Sequence, residues 1–144
     1  MFGYYGRFEP DRKQGGFVVT FPDLNHGATQ GETIEAAIDM AEDLLRSIVD
    51  EMMKRGEDLP HAAKRRGRNY RLISLPALQS AKAELYSTFR SSGVKKAELA
   101  RRIGIPKTNV ERLFDLNHAS RLDQIEAAFG AIGKKIEVRV SNAA

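Results

Sequence analysis

The chain of 144 residues has no cysteine and no tryptophan, and its apolar runs are only a few residues long. Without cysteine it cannot form disulfides, thiolate zinc sites or a cysteine nucleophile, which is typical of a reducing compartment. No apolar run could span a bilayer, and the first ten residues lack the basic start and apolar stretch of a signal peptide. We therefore expect a cytoplasmic protein without a membrane partner.

Motifs for phosphate, metal or cofactor binding are also missing. The sequence contains neither a GxGxxG nor a Walker pattern. The three histidines are not paired at metal-ligand spacing: His26, His61 and His118. Two-metal nucleases need several convergent carboxylates, whereas the predicted strands and hairpin ends carry only Glu9, Asp11 and Asp23. We expect no metal, no cofactor and no catalytic residue, and a nuclease is the least favoured alternative.

Charge is divided unevenly along the chain. Residues 1–60 contain six Lys/Arg and twelve Asp/Glu, a net charge of −6. Residues 61–144 contain seventeen Lys/Arg and seven Asp/Glu, a net charge of +10, which leaves +4 for the whole chain. Opposite signs indicate two modules, one suited to a polyanion and one to a basic protein. The alternative is that each half simply has a charged, solvated face.

The first half is predicted to be an antiparallel sheet with one helix. Apolar residues at even spacing predict strands around Tyr4–Phe8 and Phe17–Phe21, with a polar hairpin loop between them, and a short third strand is predicted at 28–30. An apolar stripe from Thr33 to about Arg55 predicts an amphipathic helix whose outer face is acidic. A linker at about 57–69 and a returning strand at 70–75 complete a first module of residues 1–75.

The second module, residues 76–144, is predicted to be all-helical apart from a short terminal strand. Four helical stripes are separated by turns, and Ser120 is predicted to be the N-cap of the last helix. Residues Ile136–Val140 alternate strictly between apolar and charged, which predicts a strand that needs a partner, such as a second copy of the chain. The overall fold class is therefore α+β.

Residues 97–113, AELARRIGIPKTNVERL, have the pattern of a helix-turn-helix. Ala100 is small enough for the two helices to cross closely, and Gly104 supplies a left-handed turn. The second helix of such a motif enters the major groove, which predicts base or phosphate contacts from Lys107, Thr108, Asn109 and Arg112, with Glu111 accepting from a cytosine amine. Phosphate contacts are predicted for the cations on or before the first helix: Lys95, Lys96, Arg101 and Arg102.

A single motif covers too little DNA for useful specificity. Dimers that read two half-sites about 34 Å apart are therefore expected, and with them a palindromic operator. The sequence leaves open whether the chain forms a dimer or a tetramer.

Two runs in the first half resemble the signature of HicB-type antitoxins: GGFVVTFPDL at 15–24 and TQGETIEAA at 29–37. The second half is similar to the HicB subclass with a repressor-like helix-turn-helix. The resemblance implies a partial RNase H-like fold for the first module, without its active site. It also implies a small, basic HicA-type toxin that cleaves messenger RNA as the partner of this module, and repression of the chain's own operon by the second module.

No short motif identifies the toxin contacts, and we predict Phe8, Asp11, Asp23 and the acidic helix face. The alternative is a ligand-sensing transcriptional regulator without a toxin partner.

Overall fold

The computed structural model describes residues 1–143 and has an α+β fold, which confirms the predicted class. Four antiparallel strands form one sheet in the order β3-β2-β1-β4. The strands are β1 (Gly3–Pro10), β2 (Phe17–Thr20), β3 (Thr29–Gly31) and β4 (Tyr70–Ser74). The helices within these residues are α1 (Ile34–Lys54), α2 (Ala77–Ser92), α3 (Lys96–Ile103), α4 (Lys107–Leu113) and α5 (Leu122–Ala131).

Helix α1 covers one face of the sheet because the strands alternate in burial. On β1, Tyr4 and Phe8 are buried, while Arg7 and Glu9 are exposed. Val19 lies opposite Phe8 on β2 and is also fully buried. The apolar stripe of α1 packs on this face, as its spacing predicts, and Thr33 caps the helix by accepting from Ala36 N–H (3.1 Å).

Two glycines of the signature runs permit the close approach of β3 to its neighbours. A Cβ on Gly31 would lie 2.3 Å from the backbone nitrogen of Ala37 in α1. A Cβ on Gly16 would lie 2.3 Å from the carbonyl oxygen of Gly31, and Gly16 also has a φ of 74°. Only glycine fits these positions, which fixes α1 tightly against the end of the sheet.

The segment between α1 and β4 has neither helix nor strand, as predicted, but it is anchored at several points. Tyr4 Oη donates to the carbonyl oxygen of Pro60 (2.7 Å), and Tyr86 Oη of α2 donates to that of Glu57 (2.6 Å). Burial raises the pKa of the Tyr86 hydroxyl, which keeps it protonated as a donor. The proposed division into modules 1–75 and 76–144 stays a prediction, and the two parts are in contact along this segment.

Three local predictions need correction. Residues Ile136–Val140 form no strand in this chain; Val138 and Val140 are 74% and 91% exposed, because no described strand edge lies alongside them. The N-cap of α5 is Arg121 rather than Ser120, whose hydroxyl instead accepts from Lys82 Nζ (3.0 Å). The third strand lies at 29–31, one residue later than predicted.

Candidate functional sites

Helices α3 and α4 are joined by the short turn Gly104–Pro106. Gly104 has φ 71° and ψ 34°, the left-handed conformation expected of it, and its N–H donates to the carbonyl oxygen of Ala100. Ala100 is buried, and α3 packs against α4. Pro106 precedes α4 and acts as its N-cap, so its missing N–H is not required by the helix.

Helix α4 has one buried and one exposed face. Val110 and Leu113 are fully or almost fully buried and attach the helix to the core. The side chains predicted to contact DNA lie away from this core: Lys107, Thr108 and Arg112 are exposed, and Asn109 is half-buried. Neither Lys107 nor Arg112 lies within ion-pair distance of a carboxylate among the described residues. The structure therefore brings these four residues together on one short helix.

The cations of α3 are placed differently, since carboxylates neutralise most of them. Lys96 Nζ lies 2.8 Å from Glu111 Oε2, so Glu111 is occupied in the free protein. Glu98 pairs with both Arg101 and Arg102, and hydrogen bonds from these two arginines hold its pKa at about 2. Lys95 is exposed and has no such pair in the part of the chain described.

The loop that follows α4 is held from two sides by buried polar side chains that sequence reasoning missed. Lys82 of α2 is fully buried, and its Nζ donates to the carbonyl oxygens of Asp115 and His118. Burial lowers the pKa of Lys82 to about 8. From the other side, Asp50 of α1 accepts from the backbone N–H of Leu116 (2.9 Å).

Asp50 thus links the N-terminal half directly to the loop behind α4. It is 7% exposed and also accepts from Asn117 Nδ2 (3.1 Å) and Lys54 Nζ (2.6 Å). The sequence offered one signal for it: a carboxylate beside the apolar stripe of α1, between Val49 and Met52. A charged residue at such a position needs a partner, but its partner lies 66 residues away and could not be identified from spacing.

The outer side of α1 forms an acidic face, as its sequence predicts. Most of these carboxylates lack an ion pair among the described residues, and Met40 is 44% exposed between them. We use the term acidic face for the exposed carboxylates around the first turns of the helix: Glu32, Glu35, Asp39, Glu42 and Asp43.

The three individual residues predicted to touch a toxin have structural partners of their own. Phe8 is 3% exposed and belongs to the core, so it offers no surface to a partner. Asp11 Oδ1 accepts from the N–H groups of Lys13 and Gln14 and shapes the β1–β2 loop. Asp23 pairs with Arg65 (2.8 Å) and accepts from Ala63 N–H (2.9 Å). Although burial opposes it, these bonds lower the pKa of Asp23.

Among residues 1–143, no group of three or more histidine or acidic side chains could hold a metal ion. Over the same range, no helix combines the length and the apolar character needed to cross a membrane.

Comparison with known proteins matches residues 3–84 to a family described as the HicB-like antitoxin of bacterial toxin-antitoxin systems. "Antitoxin HicB" of Escherichia coli K12 is 34% identical over 125 residues, which cover 87% of this chain and 90% of that protein. The chain belongs to the HicB antitoxin family. "Antitoxin HicB" of Pseudomonas fluorescens Pf0-1 is 31% identical over 143 residues, 99% of this chain and 97% of that protein. A further HicB antitoxin, "Antitoxin HicB 1" of Photorhabdus laumondii, is 31% identical over 128 residues, 89% of this chain and 81% of that protein.

Membership of the HicB family confirms the resemblance of the two signature runs. HicB proteins are antitoxins and not enzymes, which confirms the prediction of a non-enzymatic protein. A HicB antitoxin is one half of a toxin-antitoxin system, so this chain has a toxin as its partner. The matched segment includes the whole sheet and α1, and it ends within α2.

Proposed function

We propose that this HicB protein neutralises a HicA-type, mRNA-cleaving toxin through its N-terminal half and represses its own operon through α3 and α4. In the second activity, α3, the turn Gly104–Pro106 and α4 act as a helix-turn-helix, and α4 enters the major groove of a palindromic operator. A chain that binds its own operator acts where the DNA is, so cytoplasmic localisation is part of the same proposal.

One observation carries the operator-binding proposal: the arrangement of α4. Its buried residues Val110 and Leu113 attach it to the core, and Lys107 and Arg112 remain exposed without a carboxylate partner among residues 1–143. An unpaired exposed cation can bind phosphate or a guanine edge without first breaking an ion pair. The Lys96–Glu111 pair must open before either side chain can contact DNA, so we assign both a smaller role than Lys107 and Arg112.

The acidic face of α1 supports the toxin-binding proposal. Four of the twelve carboxylates of residues 1–60 lie on the first three turns of α1, and a fifth, Glu32, precedes the N-cap of the helix. Met40 adds apolar contact area. A concentrated negative potential accelerates the encounter with a basic partner and disfavours acidic ones. We therefore propose this face as the toxin surface, in place of the buried Phe8.

Self-association completes the proposal. A palindromic operator requires two copies of α4, and residues Ile136–Val140 are an alternating segment whose valines are exposed in the single chain. Pairing of this segment with its copy would satisfy its backbone N–H and C=O groups. A dimer is the smallest assembly that meets both needs.

The DNA-binding part is tested by fluorescence anisotropy on a duplex from the region upstream of the gene and on a scrambled duplex. Lys107→Ala with Arg112→Ala is expected to weaken operator binding by roughly 30-fold to 20,000-fold, since each good base contact contributes ~1–3 kcal/mol. Arg12→Ala with Lys13→Ala, exposed cations of the β1–β2 loop, is the matched control. Equal binding of both duplexes by the wild-type chain would refute operator recognition.

The toxin-binding part is tested by stopped-flow association with the purified toxin. Glu35→Gln, Asp39→Asn and Glu42→Gln together are expected to lower the association rate constant at low salt by about tenfold or more. A variant with the same loss of charge in the C-terminal half is the control: Asp123→Asn, Glu126→Gln and Glu137→Gln. Equal effects of both triples would show that net charge, and not the acidic face, directs the encounter.

A ligand-sensing regulator is a second candidate because a cleft of ligand size lies beside the segment that joins the two halves. About 700 Å³ lies between the first strand, residues 58–62 and α2, with Tyr4, His61 and Arg90 among its lining residues. Ligand sites commonly measure ~300–1,000 Å³. A metabolite that changes operator affinity in the absence of toxin, and whose effect is abolished by Arg90→Ala, would favour this candidate.

A further inference from the structure

The sequence carries a second concentration of positive charge, outside the helix-turn-helix candidate. Residues 64–71 contain five Lys/Arg and no Asp/Glu. Residues 95–113, which include α3 and α4, contain six Lys/Arg but also two Asp/Glu. We call residues 64–71 the basic loop; they comprise the end of the loop before β4 and the first two residues of that strand. The basic loop has a higher density of positive charge than residues 95–113, although it belongs to the N-terminal half.

The basic loop is held in place by its one partly buried cation. Arg65 pairs with Asp23 (2.8 Å), and its guanidinium lies 5.7 Å from the ring centre of Tyr70. On either side, Ala63 N–H donates to Asp23 and Phe8 N–H donates to the carbonyl oxygen of Asn69 (2.6 Å). These bonds attach the loop near its start, at Ala63 and Arg65, and near its end, at Asn69. Both ends of the loop are therefore fixed before any ligand binds.

The remaining cations of the basic loop are directed to solvent. Lys64, Arg66, Arg68 and Arg71 are all exposed, and none is within ion-pair distance of a carboxylate in the described part of the chain. Four unpaired cations on an ordered backbone form a surface that a polyanion can bind without breaking existing contacts. Three of the four are arginines, whose planar fork binds phosphate through two hydrogen bonds.

We propose that the basic loop is a second, sequence-independent contact to the phosphate backbone of duplex DNA. The exposed side chains of residues 64–71 are four cations and one asparagine, and the nearest large exposed apolar side chain in sequence, Leu72, follows the last of them, so the loop itself is suited to phosphates. DNA is favoured over RNA because, under the function proposed above, α4 already holds the chain on a duplex.

The test compares the full-length wild-type chain with the triple variant Lys64→Gln, Arg66→Gln, Arg68→Gln. Its matched control removes three exposed cations elsewhere: Arg12→Gln, Lys13→Gln and Lys134→Gln. Affinity is measured by anisotropy between about 50 and 200 mM KCl on the upstream duplex, a scrambled duplex and single-stranded RNA of equal length. Each lost phosphate contact lowers the slope of log affinity against log salt by ~0.9.

The proposal predicts that the triple variant loses up to ~2.7 from this slope on both duplexes, by the same fold-change in affinity, while the control keeps the wild-type slope. An unchanged slope in the triple variant overturns the proposal, as does a loss of slope that is confined to the single-stranded RNA. If the triple variant does not fold, as judged by circular dichroism, Arg66→Gln and Arg68→Gln are measured singly. If operator recognition itself fails, the wild-type chain binds both duplexes with equal affinity. The salt slope on the scrambled duplex then still tests the basic loop.

Discussion

Asp50 offers the sharpest test of how the two halves are connected. Replacing Asp50 with alanine removes the carboxylate that accepts from Leu116 N–H. Leu116 is only 2% exposed. A buried donor left without a partner costs ~1–3 kcal/mol. The side chains of Asn117 and Lys54 are exposed and can bind water instead of Asp50. The loss of their two bonds therefore adds only ~0–1 kcal/mol to this cost. We expect Asp50→Ala to lower the free energy of unfolding by about 1–4 kcal/mol.

Urea denaturation followed by circular dichroism measures this change. Lys54→Ala is the matched control, because it removes the exposed partner of Asp50 but leaves the bond to Leu116, and we expect a loss of at most ~1 kcal/mol. We also expect weaker operator binding by Asp50→Ala, since the loop it holds directly follows α4. A stability within about 0.5 kcal/mol of wild type would show that Leu116 N–H finds another acceptor and that Asp50 does not join the halves.

Three further predictions concern other contacts. Asp23→Asn weakens the anchor of Arg65, so limited trypsin digestion within residues 64–68 becomes faster at pH 7; in the wild type the same loss occurs only as pH falls through the lowered pKa of Asp23. Lys82→Met removes a group whose pKa is lowered from 10.5 to about 8 in the folded chain. Because the unfolded chain binds this proton more tightly, the free energy of unfolding of the wild type rises relative to the variant between pH 8 and 10.5, by at most about 3 kcal/mol. Urea denaturation at each pH measures this difference. Gly31→Ala places a Cβ against α1 and lowers stability by ~1–3 kcal/mol in thermal denaturation, whereas Gly130→Ala, which meets nothing within 4 Å, raises it by ~0.5–1 kcal/mol.

Periodicity predicted most of the fold because burial here follows simple patterns. The even spacing of Tyr4 and Phe8 and the stripe of α1 each match the face that is buried. The left-handed turn at Gly104 was also predictable, since glycine is the residue that adopts it without strain. The prediction of a strand at Ile136–Val140 was wrong for a single chain, because alternation indicates a strand but does not supply its partner.

The polar contacts could not be predicted, since they join residues distant in sequence. Lys82 looks like a surface lysine within a helical stripe, yet it is buried beneath the loop after α4. Asp23 is an ordinary turn residue in the sequence, and its partner Arg65 is 42 positions away. The basic loop was included in the overall +10 of residues 61–144. Its density of charge is visible in the sequence, but its attachment through the Arg65–Asp23 pair is not.

The central claim is that toxin neutralisation and operator binding use separate surfaces of one chain. The most direct measurement is the growth of cells that co-express the toxin with the Lys107→Ala, Arg112→Ala chain, alongside operator binding by the same variant. We expect full protection from the toxin together with the loss of operator binding. Loss of both activities in a variant that remains folded would contradict it.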